Sequence, residues 1–348
     1  MKVVHLLPAL EQGGVESVVC DLNRVLVGAG HESVVMSRGG RRVAEIERDG
    51  GRHVALELKS KNPLTGLFRA RRLRAALAAE RPDLVCVHSR VPAWLFVLAN
   101  RKLGLKWISY AHGANSVSRY SEVMTKGDRV VTPSRFLADY LKANYGTDEA
   151  RLAVIPNCVD TRRFDPANLD RSVVDALRRE WGLRPGDRVT MAVGRISPVK
   201  GYDALIRDFA AARANDPARK LVVVGGADRH HLQYLDGLKA LAASLGQELH
   251  VVFAGPQSHV PECLSLADEV VSANTTKPES FGLSIVEAFA MNKPVRAKRF
   301  GGAAEIFAAV EALGAPSLRE AVLRLYSFDR FAADTLALYR AVLSGPPA

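Results

Sequence analysis

The stretch ESFGLSIVE, residues 279–287, sets a carboxylate at each end of a run that is otherwise small or apolar. Phe281 and Gly282 precede a helical pattern that stops at Asn292 and Pro294, so Glu279 falls before the helix start and Glu287 inside it. The first turn of such a helix carries unpaired N–H groups, which Ser280 would cap or an anionic ligand would satisfy. Glu279 would also favour the helix dipole unaided. Glu287, set among Ile285, Val286, Ala288 and Phe289, is costly to bury unless hydrogen-bonded. A salt bridge would satisfy it. So would a pair of sugar hydroxyls, whose two donors a carboxylate accepts side by side.

Cations suited to a diphosphate stand elsewhere. VGRISPVKGYDAL (193–205) presents Arg195 and Lys200 around Pro198, between a strand and a helix, where Arg would fork onto phosphate oxygens and Lys would act as a point charge. The spacing is not that of a P-loop, and solvated loop cations are the plainer reading of these two residues alone. At the first strand-to-helix turn, Gly13 and Gly14 in PALEQGGVES would either let backbone N–H groups approach a phosphate or simply supply a tight turn. A GxGxxG dinucleotide fingerprint is absent. His112, in SYAHGANS, follows a strand directly; a strand-end histidine is more often a structural hydrogen-bonder than a catalyst. His230, His231, His250 and His259 lack metal-ligand spacing and read as surface or loop residues.

Strands and helices must place these groups, and the sequence alternates between them. KVVHLLP, ESVVMS, DLVCVHS, WISYAHG, RVVTPS and RLAVIPN are short apolar runs of the kind that form parallel strands covered on both faces, with a helix over about 15–27 between the first two. After a polar stretch near RRFDPANLDRS the pattern restarts with RVTMAVGR, KLVVVGG, HVVFAG and EVVSA, separated by helices over 202–214 and 231–245. Two successive βα series predict an α/β protein of two doubly wound, Rossmann-like domains facing across a cleft, with ligands outside the carboxyl ends of the strands. The boundaries fall at 1–166 and 167–327. The final helix, 328–348, has no strand after it.

The 348 residues are 48% hydrophobic and 24% charged, a globular composition. VPAWLFVLA is too short to span a bilayer, and the start of the chain lacks a secretory cleavage pattern, so a cytoplasmic protein is expected. Cys20, Cys86, Cys158 and Cys263 have no paired spacing, which predicts reduced core thiols rather than a metal knuckle. The net charge of +11 draws the protein to polyanions. No interleaving of aromatic and basic residues supports a nucleic-acid partner. The basic helix over 64–79, with Leu64, Leu67, Phe68, Leu73 and Leu77 among Arg69, Arg71, Arg72 and Arg74, reads as a solvated outer helix or as a peripheral contact with an anionic membrane at its inner, cytoplasmic face.

Taken together, GRISPVKG, PESFGLSIVEAFAMNKPV and GGAAEI, with GGVE, HG at 112–113 and VIPNCVDTRRF, resemble the retaining, nucleotide-sugar-dependent glycosyltransferases of the GT-B fold, family 4. The resemblance runs from Met1 to about Ile306, and SANTTKPESFG is most similar to members acting in envelope polysaccharide or lipopolysaccharide assembly. It implies that 1–166 is the acceptor-side domain, 167–327 the donor-binding domain, and that the last helix crosses back to the first domain. Arg195 and Lys200 would hold the donor diphosphate, helped by the helix start at Gly282 to Ser284, and Phe281 and Leu283 would belong to the donor-binding set. It further implies that Glu279 contacts the donor sugar, that Glu287 accepts from the ribose hydroxyls, and that His112 reaches the transferred sugar from the other domain. Gly13 and Gly14 would close over phosphate and acceptor.

No cofactor and no metal are implied, since the chain lacks an Asp-x-Asp pair and the cations would stabilise the leaving diphosphate. The chain departs from the pattern at Cys158 and Asn292, where glycine is usual, in the basic VRAKRFGG, and in a shortened segment after Ile306 that leaves Gly301, Gly302 and Glu305 outside the assigned set. The expected activity is transfer of a hexose-type sugar from a nucleoside diphosphate to an envelope glycan or glycolipid. The alternative is a non-catalytic protein of the same fold that binds a nucleotide sugar or an anionic glycan.

Overall fold

A computed structural model of the chain describes residues 1–11, 13–274 and 277–345. Thr275 and Thr276 of the SANTTKPESFG stretch, and the last residues of the 328–348 segment, lie outside the described residues.

The first sheet is wholly parallel, in the order β3-β2-β1-β4-β5-β6-β7. Its strands are β1 (Lys2–Leu6), β2 (Glu32–Ser37), β3 (Arg52–Ala55), β4 (Leu84–Val87), β5 (Trp107–Tyr110), β6 (Arg129–Thr132) and β7 (Leu152–Val154). The period-two alternation of a strand sends neighbouring residues to opposite faces. Val4 and Leu6 therefore pack with Leu73, Leu77 and Phe96 on one side, while Val3 packs with Leu22, Leu26, Ile108 and Tyr339 on the other. Tyr339 belongs to the last helix, Phe328–Ser344, and is wholly buried. Its hydroxyl lies 2.8 Å from that of Tyr110 and accepts from the Cys86 thiol at 3.3 Å.

The second sheet is parallel too, in the order β10-β9-β8-β11-β12. Its strands are β8 (Arg188–Val193), β9 (Arg219–Val224), β10 (Val251–Gly255), β11 (Glu269–Ser272) and β12 (Val295–Ala297). Ala192 and Val223 face Ile206 and Phe209 of the helix Tyr202–Asn215; Met191 and Val222 face Val286 and Phe289 of the helix Leu283–Ala290.

Residues 1–158 and 328–348 form one unit, and 159–327 form the other. The second unit thus takes in residues that the sequence reading gave to the first. Val159 N–H donates to Tyr326 O at 3.0 Å and Phe164 is buried in the second unit's core, so 159–166 is part of that unit's packing. The short segment after Ile306 is filled by the end of the helix Gly302–Leu313 and by one further helix, Leu318–Leu325. The short strands β3 and β12 were not apparent in the sequence. All four cysteines are buried and free. In the basic helix, Gly66–Glu80, Leu73 and Leu77 face the core while Leu67 and Phe68, with Leu64 in the turn Pro63–Thr65 before it, are 68%, 61% and 91% exposed.

Arg319 fastens the junction of the second unit. Its guanidinium donates to the carbonyls of Phe164, Ala290 and Thr161 and pairs with Asp165 at 2.5 Å. Replacing it leaves several half-buried acceptors unmatched, and a hydrogen bond to a charged group contributes about 1.5–3 kcal/mol. Arg319→Met is expected to lower the second unit's stability by about 2–4 kcal/mol in urea unfolding; a change below about 0.5 kcal/mol would show that the cluster is dispensable.

Candidate functional site

In the second sheet the chain order reverses between β8 and β11, and the loops after their carboxyl ends diverge there, which opens a crevice in a parallel sheet. The loop after β8 carries Arg195 and Lys200; the loop after β11 carries Glu279 and leads to the helix Leu283–Ala290. The two loops meet at one contact: Lys200 Nζ donates to Glu279 Oε1 at 2.5 Å, both side chains partly shielded. Arg195 is exposed and makes no ion pair among the described residues.

Backbone packing allows these loops to come so close. Gly225, just past β9, sits so near the first loop that a Cβ there would lie 1.9 Å from Gly194 O. Gly301 and Gly302 press on the Glu279 segment: a Cβ on Gly301 would meet Glu279 O at 2.6 Å, and one on Gly302 would meet Ser280 O at 2.6 Å. Gly302 N–H donates to Glu279 O at 2.7 Å, which orients the peptide that carries the carboxylate. The residues that sequence reasoning set aside, Gly301 and Gly302, are therefore part of this site's framework.

The Leu283–Ala290 helix begins at Gly282, at φ 118°, so its N-cap residue has no side chain with which to cap it. Its first N–H groups lack partners within the helix, as at any helix start. Leu283, Ser284 and Glu287 are half-buried on this helix. Phe281 is a correction to the donor-binding set, because its ring is in the core, 5.7 Å edge-on from Tyr326, which leaves only its backbone for a ligand. Asn292 stands at φ 56°, a left-handed position that Asn tolerates, so it replaces a glycine without changing the turn.

In the first sheet the order reverses between β1 and β4. Gly14 opens the helix Gly14–Gly28 and Gly13 precedes it with φ 174°, extended backbone open to any residue. Neither glycine lies in the left-handed region, so turn geometry does not explain them. A Cβ on Gly14 would meet nothing within 4 Å.

His112 lies past the end of β5, in a chain of three imidazoles that crosses the switch point. His112 Nε2 is 3.1 Å from His88 Nδ1, past the end of β4; His88 Nε2 is 3.1 Å from His5 Nδ1, within β1. His88 also stacks on Tyr110, centroids 4.8 Å apart. Burial keeps all three neutral: His5 falls to about 3 and His112 to about 4, and His88, flanked by the other two, also lies well below the ordinary histidine value. Sequence reasoning singled out only His112. The signal it passed over is that VCVH and SYAH each follow a strand run with histidine and KVVHL holds one inside it, on strands that prove adjacent. Among the described residues no three His, Cys, Asp or Glu side chains converge as metal ligands would, and no helix is long and apolar enough to cross a membrane.

Known proteins are similar in sequence and in fold. Residues 12–163 match the family described as Glycosyltransferase Family 4, and residues 173–323 match Glycosyl transferases group 1. A D-inositol 3-phosphate glycosyltransferase of Salinispora arenicola is 34% identical over 261 residues, 68% of this chain and 57% of that protein. The chain spans about half the length of the curated relatives it matches. A glycosyltransferase structure from Rickettsia africae superposes with TM-score 0.84 at 25% identity, covering 99% of both chains. Anabaena Alr3699/HepE in complex with UDP and glucose superposes with TM-score 0.82 at 19% identity, over 98% of this chain and all of the other.

The neutral histidines give the first unit a defined acid response. An unfolded histidine takes up its proton near pH 6.5, whereas these three remain neutral in the fold until well below that, so stability is fully present above pH 6.5 and is lost as pH falls toward 4. Each histidine contributes a slope of at most about 1.4 kcal/mol per pH unit in that window. The melting temperature should therefore drop between pH 7 and pH 5, and less steeply in His5→Leu. Equal slopes in the two proteins would mean that His5 does not titrate as described.

Proposed function

The chain belongs to the glycosyltransferases, with a family 4 domain followed by a group 1 domain in two Rossmann-like α/β units of the GT-B fold, and from this premise we propose that it transfers a sugar from a nucleoside diphosphate to an acceptor hydroxyl with retention of configuration. The observation that carries the reading is the Lys200–Glu279 pair at the second sheet's switch point, beside Arg195, which has no ion pair among the described residues, and the start of the helix Leu283–Ala290. A diphosphate would draw Lys200 from Glu279 while Arg195 forks onto its oxygens and the N–H groups at Leu283 and Ser284 meet the remaining charge. Release of Lys200 frees the Glu279 carboxylate to accept from hydroxyls of the donor sugar. Glu287, deeper in the same helix, takes the ribose hydroxyls.

In the transfer itself the bond from the anomeric carbon to the leaving phosphate oxygen breaks, and the bond to the acceptor oxygen forms on the same face. The acceptor proton passes to the departing phosphate. The negative charge that grows on the diphosphate is met by Arg195, Lys200 and the helix start, so the reading assigns no metal ion or other cofactor. His112, in the first unit, is assigned to the transferred sugar, and Gly13 and Gly14 to close backbone approach.

For the acceptor we favour an envelope glycan or glycolipid, lipopolysaccharide included, reached from the cytoplasmic side of a membrane. The support is the basic helix and the turn that leads into it, which expose Leu64, Leu67 and Phe68 next to exposed Arg71 and Arg72, an apolar and cationic surface suited to an anionic bilayer. A phosphorylated cyclitol is the second reading, favoured by the relatives named D-inositol 3-phosphate glycosyltransferases.

Thermal melting against a panel of nucleoside diphosphates and their sugars tests the donor. One sugar nucleotide at about 100 times its Kd should stabilise the protein by about 2.7 kcal/mol, with the shift lost in Lys200→Ala and Glu287→Ala. Stabilisation without turnover on any acceptor would support a binding protein instead, and no shift with any nucleotide would overturn the donor site.

Membrane contact is read by sedimentation. The protein should pellet with phosphatidylglycerol vesicles at low salt, less so at high salt or as the double variant Leu67→Ser, Phe68→Ser. Equal pelleting of the variant would remove the helix from the contact.

A further inference from the structure

The three imidazoles constrain one another's protons. A neutral imidazole has one N–H and one bare nitrogen, and each link of the chain needs one donor and one acceptor. His88 uses Nε2 toward His5 and Nδ1 toward His112, so it donates through one and accepts through the other. Both links must then point the same way. If they run from His112 inward, the chain ends on an N–H at His5 Nε2. If they run from His5 outward, His5 Nε2 is bare and the last N–H is at His112 Nδ1.

The inner end decides between these directions. His5 is wholly buried, and its Nε2 has no hydrogen-bond partner among the described residues. An orphaned buried N–H is rarer and more costly than a bare acceptor lone pair. The outward direction avoids it. Each ring then carries its proton on Nδ1, the less common form of a free imidazole, and the stack of Tyr110 on His88 with the Tyr110–Tyr339 hydroxyl contact holds the middle ring in place.

We propose that His5 and His88 are positioning residues that lock His112 as its Nδ1–H tautomer, so that His112 offers the sugar a fixed hydrogen-bond donor. His112 Nδ1 has no partner among the described residues and, unlike Nε2 of the wholly buried His5, belongs to a half-buried ring. The inference rests on the reading of His112 as a sugar contact and adds a direction to it: the ligand atom it meets is an accepting oxygen. A donor sugar in which that oxygen is replaced by hydrogen leaves the N–H unpaired, which is how a site built around a hydrogen bond rejects an analogue.

Long-range 1H–15N correlation spectra of 15N-histidine-labelled protein at pH 7, without ligand, read the tautomers directly. His5, His88 and His112 are expected as Nδ1–H. In His88→Phe, His112 should shift toward the common Nε2–H form. His88→Asn, whose amide can place an N–H close to the lost Nδ1, should restore Nδ1–H at His112. With a competent donor, kcat/KM should fall about tenfold or more in His88→Phe, the equivalent of about 1.4 kcal/mol, and recover in His88→Asn. His112 found as Nε2–H or as a cation in the unaltered protein overturns the proposal, as does an unchanged His112 tautomer in His88→Phe. Should His88→Phe not fold, the spectrum of the unaltered protein decides alone. Because that spectrum needs no substrate, failure of the transferase reading would appear separately, as absent turnover with the tautomers intact.

Discussion

Backbone pressed against backbone is the constraint from which the second unit's chemistry follows. Gly225 against Gly194, and Gly301 and Gly302 against the Glu279–Phe281 segment, bring loops from separate strands to distances that no side chain at those positions would permit. The Lys200–Glu279 contact depends on this closeness. A half-exposed ion pair adds little stability by itself. Its value here is that it keeps a cation and a carboxylate side by side at a switch point, each ready for a different part of a ligand.

The first unit solves a different problem at its own switch point. Neutral imidazoles span it. Burial suppresses protonation of His5, His88 and His112, and the resulting neutral chain has polarity without net charge. A neutral imidazole can donate to an uncharged sugar without the desolvation penalty of an imidazolium. The layer beneath, in which Cys86, Tyr110 and Tyr339 bond to one another, satisfies polar groups that would otherwise be stranded between sheet and helix.

Much of this was legible in the amino-acid sequence because parallel strands are covered on both faces and so read as short unbroken apolar runs. ESVVMS is β2 from end to end, and the 202–214 helix is recovered as Tyr202–Asn215. β3, with Arg52 and His53, and β12, with Arg296, are edge strands exposed along part of their length, and their polar residues hide them from that signal. The residues of the candidate site were legible by type and place, but not by partner. Lys200 and Glu279 lie 79 positions apart, and nothing local announces that they touch. The histidine chain was hidden for the same reason: its links join residues 83 and 24 positions apart, and only the strand order makes them neighbours. Phe281 was misplaced because a motif position does not say whether a ring points to ligand or to core.

The last helix has a consequence for how the molecule comes into being. A ribosome delivers the chain from its amino end, and domains generally fold as units as they emerge. Residues 159–327 are contiguous and complete their core without any later segment. The first unit, although begun earlier, must wait for Phe328–Ser344 to bring Tyr339 to Cys86 and Tyr110. The part made first is thus the last to close, and an interrupted chain would hold a finished second unit beside a first one with an open hydrophobic face.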